Sequence, residues 1–502
     1  MNQIASRYWQ FRYQQIKQDL SDPIGTQERV LQALVRKAQT TSFGRRYHFR
    51  ELQNAHDFQQ AVPVHQYADL WPSIESMMAG QSNVLWPGQL QDFGKTAGTS
   101  SDSPKYIPLS MEMLQQNHSR GSRDVMSFFC QRFPETQVFT GRGLILGGTF
   151  YQNPEFPTAR IGDISAFMVR YMPWLASLFL FPGKSVTLLP NWEEKIKTIA
   201  EKAIQESITN ITGMPTWILV FAKEVCRITG KNRLIDVWPE LQVFNHGGMQ
   251  FDLYEPLFEN LMPRDQVYYH DIYNATEGFF AFREHPDHEG MRLLLRNAVY
   301  YEFQALDSGK VFKLDEVELA TPYALVISNA GGLWRYVQGD IITFTELHPF
   351  RIKVLGRLNQ SLNDFGELVD QTHLETALGN LIDQHQLAIS DFTVMSNGPN
   401  AEGTGKHSWF LELEGHMALP ENVSDQLDEA LIRINPNYQK RRLASMVLER
   451  PEVVILPAGT ILEWHRSRGQ LGGQSKLSRI QRTDSGFRQF VHSISPDGLR
   501  VY

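Results

Sequence analysis

The stretch "TQERVLQALVRKAQTT" repeats apolar residues at Val30, Leu31, Leu34 and Val35, a spacing that gathers them on one face of a helix. The first 80 residues read the same way and are predicted to be mainly helical. Residues 111–133, "MEMLQQNHSRGSRDVMSFFCQRF", read as a further helix. Short apolar runs follow at 141–148, 185–190 and 216–221, with helical stretches such as 193–207 between them. This alternation predicts an α/β sheet carrying helices on its faces. From 310 to 360 the period drops to two in "KVFKLDEVEL", "YALVIS", "DIITFTEL" and "RIKVLGR", as in antiparallel strands with polar turns. Beyond "GRLN" come a helix over 370–385, two strand-like runs and a helix over 424–438. The change of texture predicts a boundary at Arg357–Asn359, with a large α/β domain over 1–357 and a smaller α+β domain over 358–502.

Composition narrows the function classes. The 502 residues are 42% hydrophobic and 21% charged, as in ordinary globular proteins, and the length predicts two to four domains. A net charge of -7 supplies no basic field for nucleic acid or an anionic membrane. Two cysteines, Cys130 and Cys226, exclude a disulfide scaffold and a cysteine-built zinc site, and they fit a reducing cytoplasm. The opening "MNQIASRYWQFRYQQIKQDL" has the pattern of an amphipathic helix and not of a signal peptide. The most apolar stretch, 164–181, is interrupted by Arg170 and Pro173, so it is read as buried core or pocket wall.

Candidate chemistry begins at "FGKTAGTSSDSPKYIPLS", 93–110. A mononucleotide loop G-x-x-x-x-G-K-[ST] ending at Gly94, Lys95 and Thr96 requires glycine at Gln89, and Gly88 is one residue too early. The alternative is T-x-G-T-S-x-x-x-P-K over Thr96–Lys105, where glycine admits an anion close to the backbone and hydroxyls and a lysine surround it. A solvated Ser/Thr turn accounts for the same residues equally well. In "YHDIYNATEGFFAF", Glu277 is either a ligand for a hard cation such as Mg²⁺ or a surface acid. In "GGLWRYVQGDIITF", Asp340 either accepts hydrogen bonds from ribose hydroxyls or ends an ordinary strand turn. "REHPDHEG" (283–290) fits no standard zinc spacing and reads as a polar turn.

Taken in order, these stretches resemble the Gretchen Hagen three family of acyl-acid amido synthetases, a branch of the acyl-adenylating enzymes, over about residues 70–480. The resemblance implies a large α/β adenylation domain of sheets flanked by helices plus a β-rich subdomain, and a mobile C-terminal lid. It implies ATP and Mg²⁺ as cofactors, a carboxylic acid activated as acyl-AMP, and an amino acid amine as acceptor. Within it, "TAGTSSDSPK" is similar to the phosphate loop, with Thr96, Gly98, Thr99 and Ser100 nearest the phosphates, although Ser101 and Asp102 stand where family loops carry glycine. "NHGGMQ" is similar to the segment edging adenine and acid, through Gly247, Gly248 and Met249. Tyr273, Thr276 and Glu277 of "YNATEG" take the adenine and Mg²⁺ motif, Asp340 the ribose motif, and Arg357 of "GRLN" the hinge near the ribose. Lys476 occupies the place of the lysine that swings over the phosphates. The expected enzyme is a cytoplasmic monomer with no nucleic acid or membrane partner. The rival expectations are transfer to a thiol such as coenzyme A and a homologue that binds nucleotide without catalysis. For the acid pocket, Arg120 and Arg123 are weighed as carboxylate partners against solvated helix arginines, and Met168, Tyr171, Met172 and Trp174 as wall against core packing.

Overall fold

The computed structural model describes residues 2–502 apart from 20, 97–104, 190, 249–250, 252–253, 307, 359–360, 363, 366, 368, 399–403, 415–418, 445–447, 468–478, 482–485, 495–498 and 500. The described residues fall into two compact units, one drawn from 2–248 and 260–354, the other from 251–259, 355–467 and 479–502.

The larger unit opens with the expected helices. Asp22 caps Pro23–Ala38, with proline already set for the first turn, and the periodic face buries Leu31, Leu34 and Val35. That face joins a core centred on the fully buried Trp334, whose ring lies 4.8 Å from Phe49 and 6.0 Å from Phe43. Four short strands, β1 (Asp92–Thr96), β2 (Lys105–Pro108), β4 (Phe150–Gln152) and β5 (Arg160–Gly162), form one sheet in the order β2-β1-β5-β4. A second sheet of twelve strands contains β3 (Arg142–Ile145), β6 (Leu180–Phe181), β7 (Ile208–Gly213), β8 (Val243–Gly247), β9 (Tyr268–Ala275), β10 (Gly278–Phe282), β11 (Met291–Leu293), β12 (Val299–Ala305), β13 (Val311–Phe312), β14 (Pro322–Asn329), β15 (Tyr336–Leu347) and β16 (Phe350–Arg357), in the order β13-β12-β14-β15-β16-β11-β10-β9-β8-β7-β3-β6. The block β6-β3-β7-β8-β9 is parallel throughout, so the carboxyl ends of these five strands share one rim. Ligands of open α/β sheets bind outside that kind of rim.

Several expectations change here. The apolar runs at 185–190 and 216–221 are not strands: Lys184–Thr187 and Pro215–Thr229 are helical. Pro215 sets the first turn of the longer helix, and burial of Trp217, Ile218, Leu219 and Phe221 makes its sequence a continuous apolar run, which periodicity does not separate from a buried strand. The helix expected over 111–133 begins with a π-helical stretch, Met113–His118, before Ser119–Arg132. In the 164–181 stretch Phe167 and Val169 are core, but Trp174 is 70% exposed on the four-residue helix Trp174–Ser177, where Pro173 turns the chain to the surface. Among the described residues no helix is long and apolar enough to cross a membrane.

The smaller unit carries β17 (Ser361–Leu362), β18 (Val369–Asp370), β19 (Ile389–Ser396), β20 (His407–Leu413), β21 (Glu452–Leu456) and β22 (Ile480–Gln481), the last four forming a sheet in the order β21-β20-β19-β22. Helices Gln371–His385 and Val423–Ile434 bury Leu374, Leu378, Leu427 and Leu431 against Trp409. Two polar contacts are sealed inside it. His407 and Glu367 meet at 3.0 Å with both side chains inaccessible. Arg479 donates to Asp391, to the Phe392 carbonyl at 2.8 Å and to the Tyr254 hydroxyl, and its Nε lies 3.9 Å from Glu375.

Candidate functional site

The ladder between β9 and β10 pairs Ala275 with Gly278, so Thr276 and Glu277 form the two-residue tip of a hairpin. Both are buried. The tip is seated on β1: a Cβ at Gly94 would lie 2.1 Å from Thr276 Cγ2. Glycine at 94 is therefore what lets the hairpin approach the strand that leads, one residue after Lys95, into Thr96. Gly94→Ala is expected to cost about 1–3 kcal/mol of stability through overpacking, read as a lower urea midpoint. A second brace comes from Asn329 at the end of β14, whose Nδ2 donates to the Glu277 carbonyl at 2.9 Å. The Asn329 side-chain oxygen accepts from Gly331 and Leu333, which shapes the turn toward β15.

Asp340 owes its position to an irregular ladder. Ala324 pairs with Ile341 and Val326 with Val337, so Gln338, Gly339 and Asp340 face the single residue Leu325. Gly339 takes a left-handed backbone (φ 103°) and Gln338 Oε1 accepts the Asp340 N–H at 2.9 Å. Such bulges re-aim side chains out of the pleat. The re-aimed carboxylate accepts the Tyr273 hydroxyl at 2.6 Å. Strands β9 and β15 are four ladder steps apart, about 19 Å on a flat sheet at ~4.8 Å per step, so this bond requires the sheet to curl over between them.

The loop ends join the same region. Thr96 and Lys105 are register partners at the loop end of the β1–β2 hairpin. Lys105 Nζ donates to the Tyr336 hydroxyl at 3.3 Å, and Tyr336 precedes Asp340 by four residues on β15. The Tyr67 hydroxyl accepts the Tyr106 N–H at 2.7 Å and is pushed well up by burial, with the Glu277 charge adding to the effect. His118 bonds the Thr276 backbone and burial pushes its ring down to about 3, so it is neutral at physiological pH.

Of the sequence-predicted residues, Thr96, Tyr273, Thr276, Glu277 and Asp340 thus sit on elements joined by these contacts. Gly247 closes β8, where a Cβ would lie 2.1 Å from the Ile272 carbonyl oxygen, and Gly248 has φ 87°. Arg357 ends β16 and is grouped with the smaller unit. Gly98, Thr99, Ser100, Met249 and Lys476, with Ser101 and Asp102, lie outside the described residues. Arg120 donates to the Arg296 carbonyl at 3.3 Å and Arg123 to the Ser119 carbonyl at 3.1 Å, which makes both backbone braces. Tyr171 donates to Asp92 at 2.6 Å, tying the 164–170 helix to β1. Asn329, Tyr336, Tyr67 and His118 escaped the sequence reading. For Asn329 the turn sequence "NAGG" was an available signal; the others are single residues without a motif.

Among the described residues no group of three His, Cys, Asp or Glu side chains could hold a metal unaided. One buried carboxylate, Glu277, fits a hard cation whose remaining oxygen ligands come from phosphates and water, the usual manner of Mg²⁺.

The α/β architecture is that of the acyl-adenylating ligases. A solved 2-hydroxyisobutyryl-CoA ligase in its postadenylation state superposes with a TM-score of 0.59 at 13% identity, over 95% of this chain and 92% of that one. A solved GH3.15 acyl acid amido synthetase superposes with a TM-score of 0.82 at 16% identity, over 98% and 97%. Residues 12–267, 292–357 and 372–485 match in turn the N-terminal, central and C-terminal domains of the GH3 family, and the chain belongs to that family. Among curated relatives, indole-3-acetic acid-amido synthetase GH3.4 of Arabidopsis thaliana is 22% identical, covering 92% of this chain and 90% of its own length.

Proposed function

We propose that this chain is an ATP-dependent acyl-acid amido synthetase, which converts a carboxylic acid to its acyl-adenylate and passes the acyl group to the amine of an amino acid. The observation that carries this reading is the convergence of the Thr276–Glu277 tip, the Tyr273–Asp340 pair and the Thr96 and Lys105 loop ends in a GH3 chain.

In the first half-reaction a carboxylate oxygen attacks the α-phosphorus of ATP and pyrophosphate leaves. No protein nucleophile is required, so the protein's work is alignment and charge neutralisation. Asp340 accepts hydrogen bonds from ribose hydroxyls, and its bond to Tyr273 fixes the ring that borders the adenine. The loop hydroxyls of Thr96, Thr99 and Ser100, with Gly98 allowing close approach, bind phosphate oxygens. Gly247, Gly248 and Met249 edge the adenine and the acid, Thr276 borders the base, and Arg357 lies near the ribose. Glu277 would hold Mg²⁺, which would neutralise phosphate charge when bound. Lys476 brings a mobile point charge to the same phosphates. In the second half-reaction the amine attacks the acyl carbonyl and AMP leaves.

Exchange of labelled pyrophosphate into ATP over a panel of carboxylic acids tests this directly. Acid-dependent exchange followed by amide formation with an amino acid is the expected result. Exchange followed by thioester only, when coenzyme A is added, would reassign the acceptor. ATP binding without exchange for any acid would leave a nucleotide-binding homologue.

A further inference from the structure

The loop Gly147–Thr149 leaves the carboxyl end of β3, on the same rim as the Thr276–Glu277 tip. Its backbone is held by three buried or half-buried side chains. Lys195, wholly inaccessible on helix Trp192–Ala203, donates to the Gly147 carbonyl at 2.9 Å and the Gly148 carbonyl at 3.3 Å. Ser165 Oγ accepts the Gly148 N–H at 2.9 Å, and Asp163 Oδ2 accepts the Thr149 N–H at 3.2 Å. Only glycine fits at 148, since a Cβ there would lie 1.7 Å from Asp163 Oδ2. A loop held at successive donors and acceptors is fixed before any ligand arrives.

The charge at its back is unusual. A buried ammonium normally has a carboxylate partner. Among the described residues no carboxylate lies within ion-pair distance of Lys195; its partners are two carbonyl dipoles and the Trp192 ring at 5.4 Å. Asp163 is the acid whose charge acts on it, and that carboxylate accepts the Thr149 N–H and also feels the charge of Lys95 of β1. Lys184, on the neighbouring short helix, is turned to the Arg170 and Met172 carbonyls. Three ladder steps, about 14 Å on a flat sheet, separate β3 from β9, where the proposed acyl-adenylate chemistry takes place.

We propose that Lys195 is a positioning residue for the acid substrate: it fixes the Gly147–Thr149 wall along which the part of the acid remote from its carboxylate runs. The inference rests on the adenylating reading above. Burial pushes the Lys195 ammonium down to about 8 against an ordinary value of 10.5, with Asp163 pulling it partly back. Above about pH 8 the folded protein loses this charge while the unfolded chain keeps its proton until about 10.5, so this group makes stability rise with pH across that window.

The test measures pyrophosphate exchange in the wild type, Lys195→Met and Lys195→Gln. Lys195→Met is expected to raise the KM for the acid at least tenfold with the KM for ATP within twofold. Lys195→Gln, which keeps a donor but no charge, is expected to fall between. The wild-type acid KM is expected to rise above about pH 8, a limb missing from both variants. The stability gain between about pH 8 and 10.5 should also be missing from both. Should Lys195→Met fail to fold, the Gln variant and the wild-type pH profile decide. Unchanged acid KM in a folded variant, or equal rises for acid and ATP, would overturn the proposal. A wild type without acid-dependent exchange sinks the adenylating reading instead.

Discussion

Asp340→Ala is expected to lower acid-dependent pyrophosphate exchange by about 10²–10⁴-fold in kcat/KM for ATP. Two hydrogen bonds from ribose hydroxyls to an ionised acceptor, each worth about 1.5–3 kcal/mol, supply a loss of that order. A second effect acts in the same direction. The Tyr273 hydroxyl donates to Asp340 at 2.6 Å, and removing the acceptor leaves a buried phenol to find another partner. Tyr273→Phe separates the two contributions, because it removes only the bond that orders the ring and should cost about tenfold. Steady-state exchange kinetics on both variants, with folding checked by circular dichroism, make the comparison. Equal losses in the two would mean that Asp340 acts only through Tyr273, and an unchanged KM for ATP in Asp340→Ala would remove it from the ribose.

Arg479→Ala is expected to destabilise the smaller unit by about 3–5 kcal/mol, the usual effect of breaking a buried ion pair from one side. The guanidinium is inaccessible and serves Asp391, Tyr254 and the Phe392 carbonyl together, with its carbon 4.4 Å from the Phe392 ring centre. Without it, Asp391 remains as a buried carboxylate, and burial already pushes that group above its ordinary range. Replacing Asp391 as well, in Arg479→Met with Asp391→Leu, should recover part of the loss, since the buried Glu375 stays behind. Urea denaturation followed by tryptophan fluorescence reads the effect, since Trp409 lies in this unit's core. A double variant no more stable than Arg479→Ala alone would show that packing around Phe392, not charge, dominates.

The parts of this protein readable from sequence were those whose physics is local. Helix Pro23–Ala38 announces itself through its apolar period and its Asp-Pro start. Strands Pro322–Asn329, Tyr336–Leu347 and Phe350–Arg357 were legible from their apolar runs between polar turns, although β14 is buried on both faces. By contrast, "KVFKLDEVEL" holds only the short strand Val311–Phe312 before the helical turn Leu314–Glu316. Thr96, Tyr273, Thr276, Glu277 and Asp340, which the structure places on elements in mutual contact, drew notice because their order and spacing along the chain resembled a family. What stayed hidden depends on partners distant in sequence. The bulge at 338–340 is a property of two strands and has no signature in one. Helix Pro215–Thr229 lost its period because it is buried on most sides. Lys195 sits in "EEKIKTIAEK", where an isolated lysine reads as one more solvated charge, and only the fold reveals that it points at the Gly147 and Gly148 carbonyls.

The two-residue tip at Thr276–Glu277 also bears on how this chain tolerates change. Its place is set by the β9–β10 register and by the contact with Gly94 at once. A single residue added to or deleted from either strand slides the tip by about 3.3 Å and turns alternate side chains to the opposite face. Length variation in descendants of this gene should therefore accumulate in turns away from these two strands, and grafting foreign loops is safest there as well.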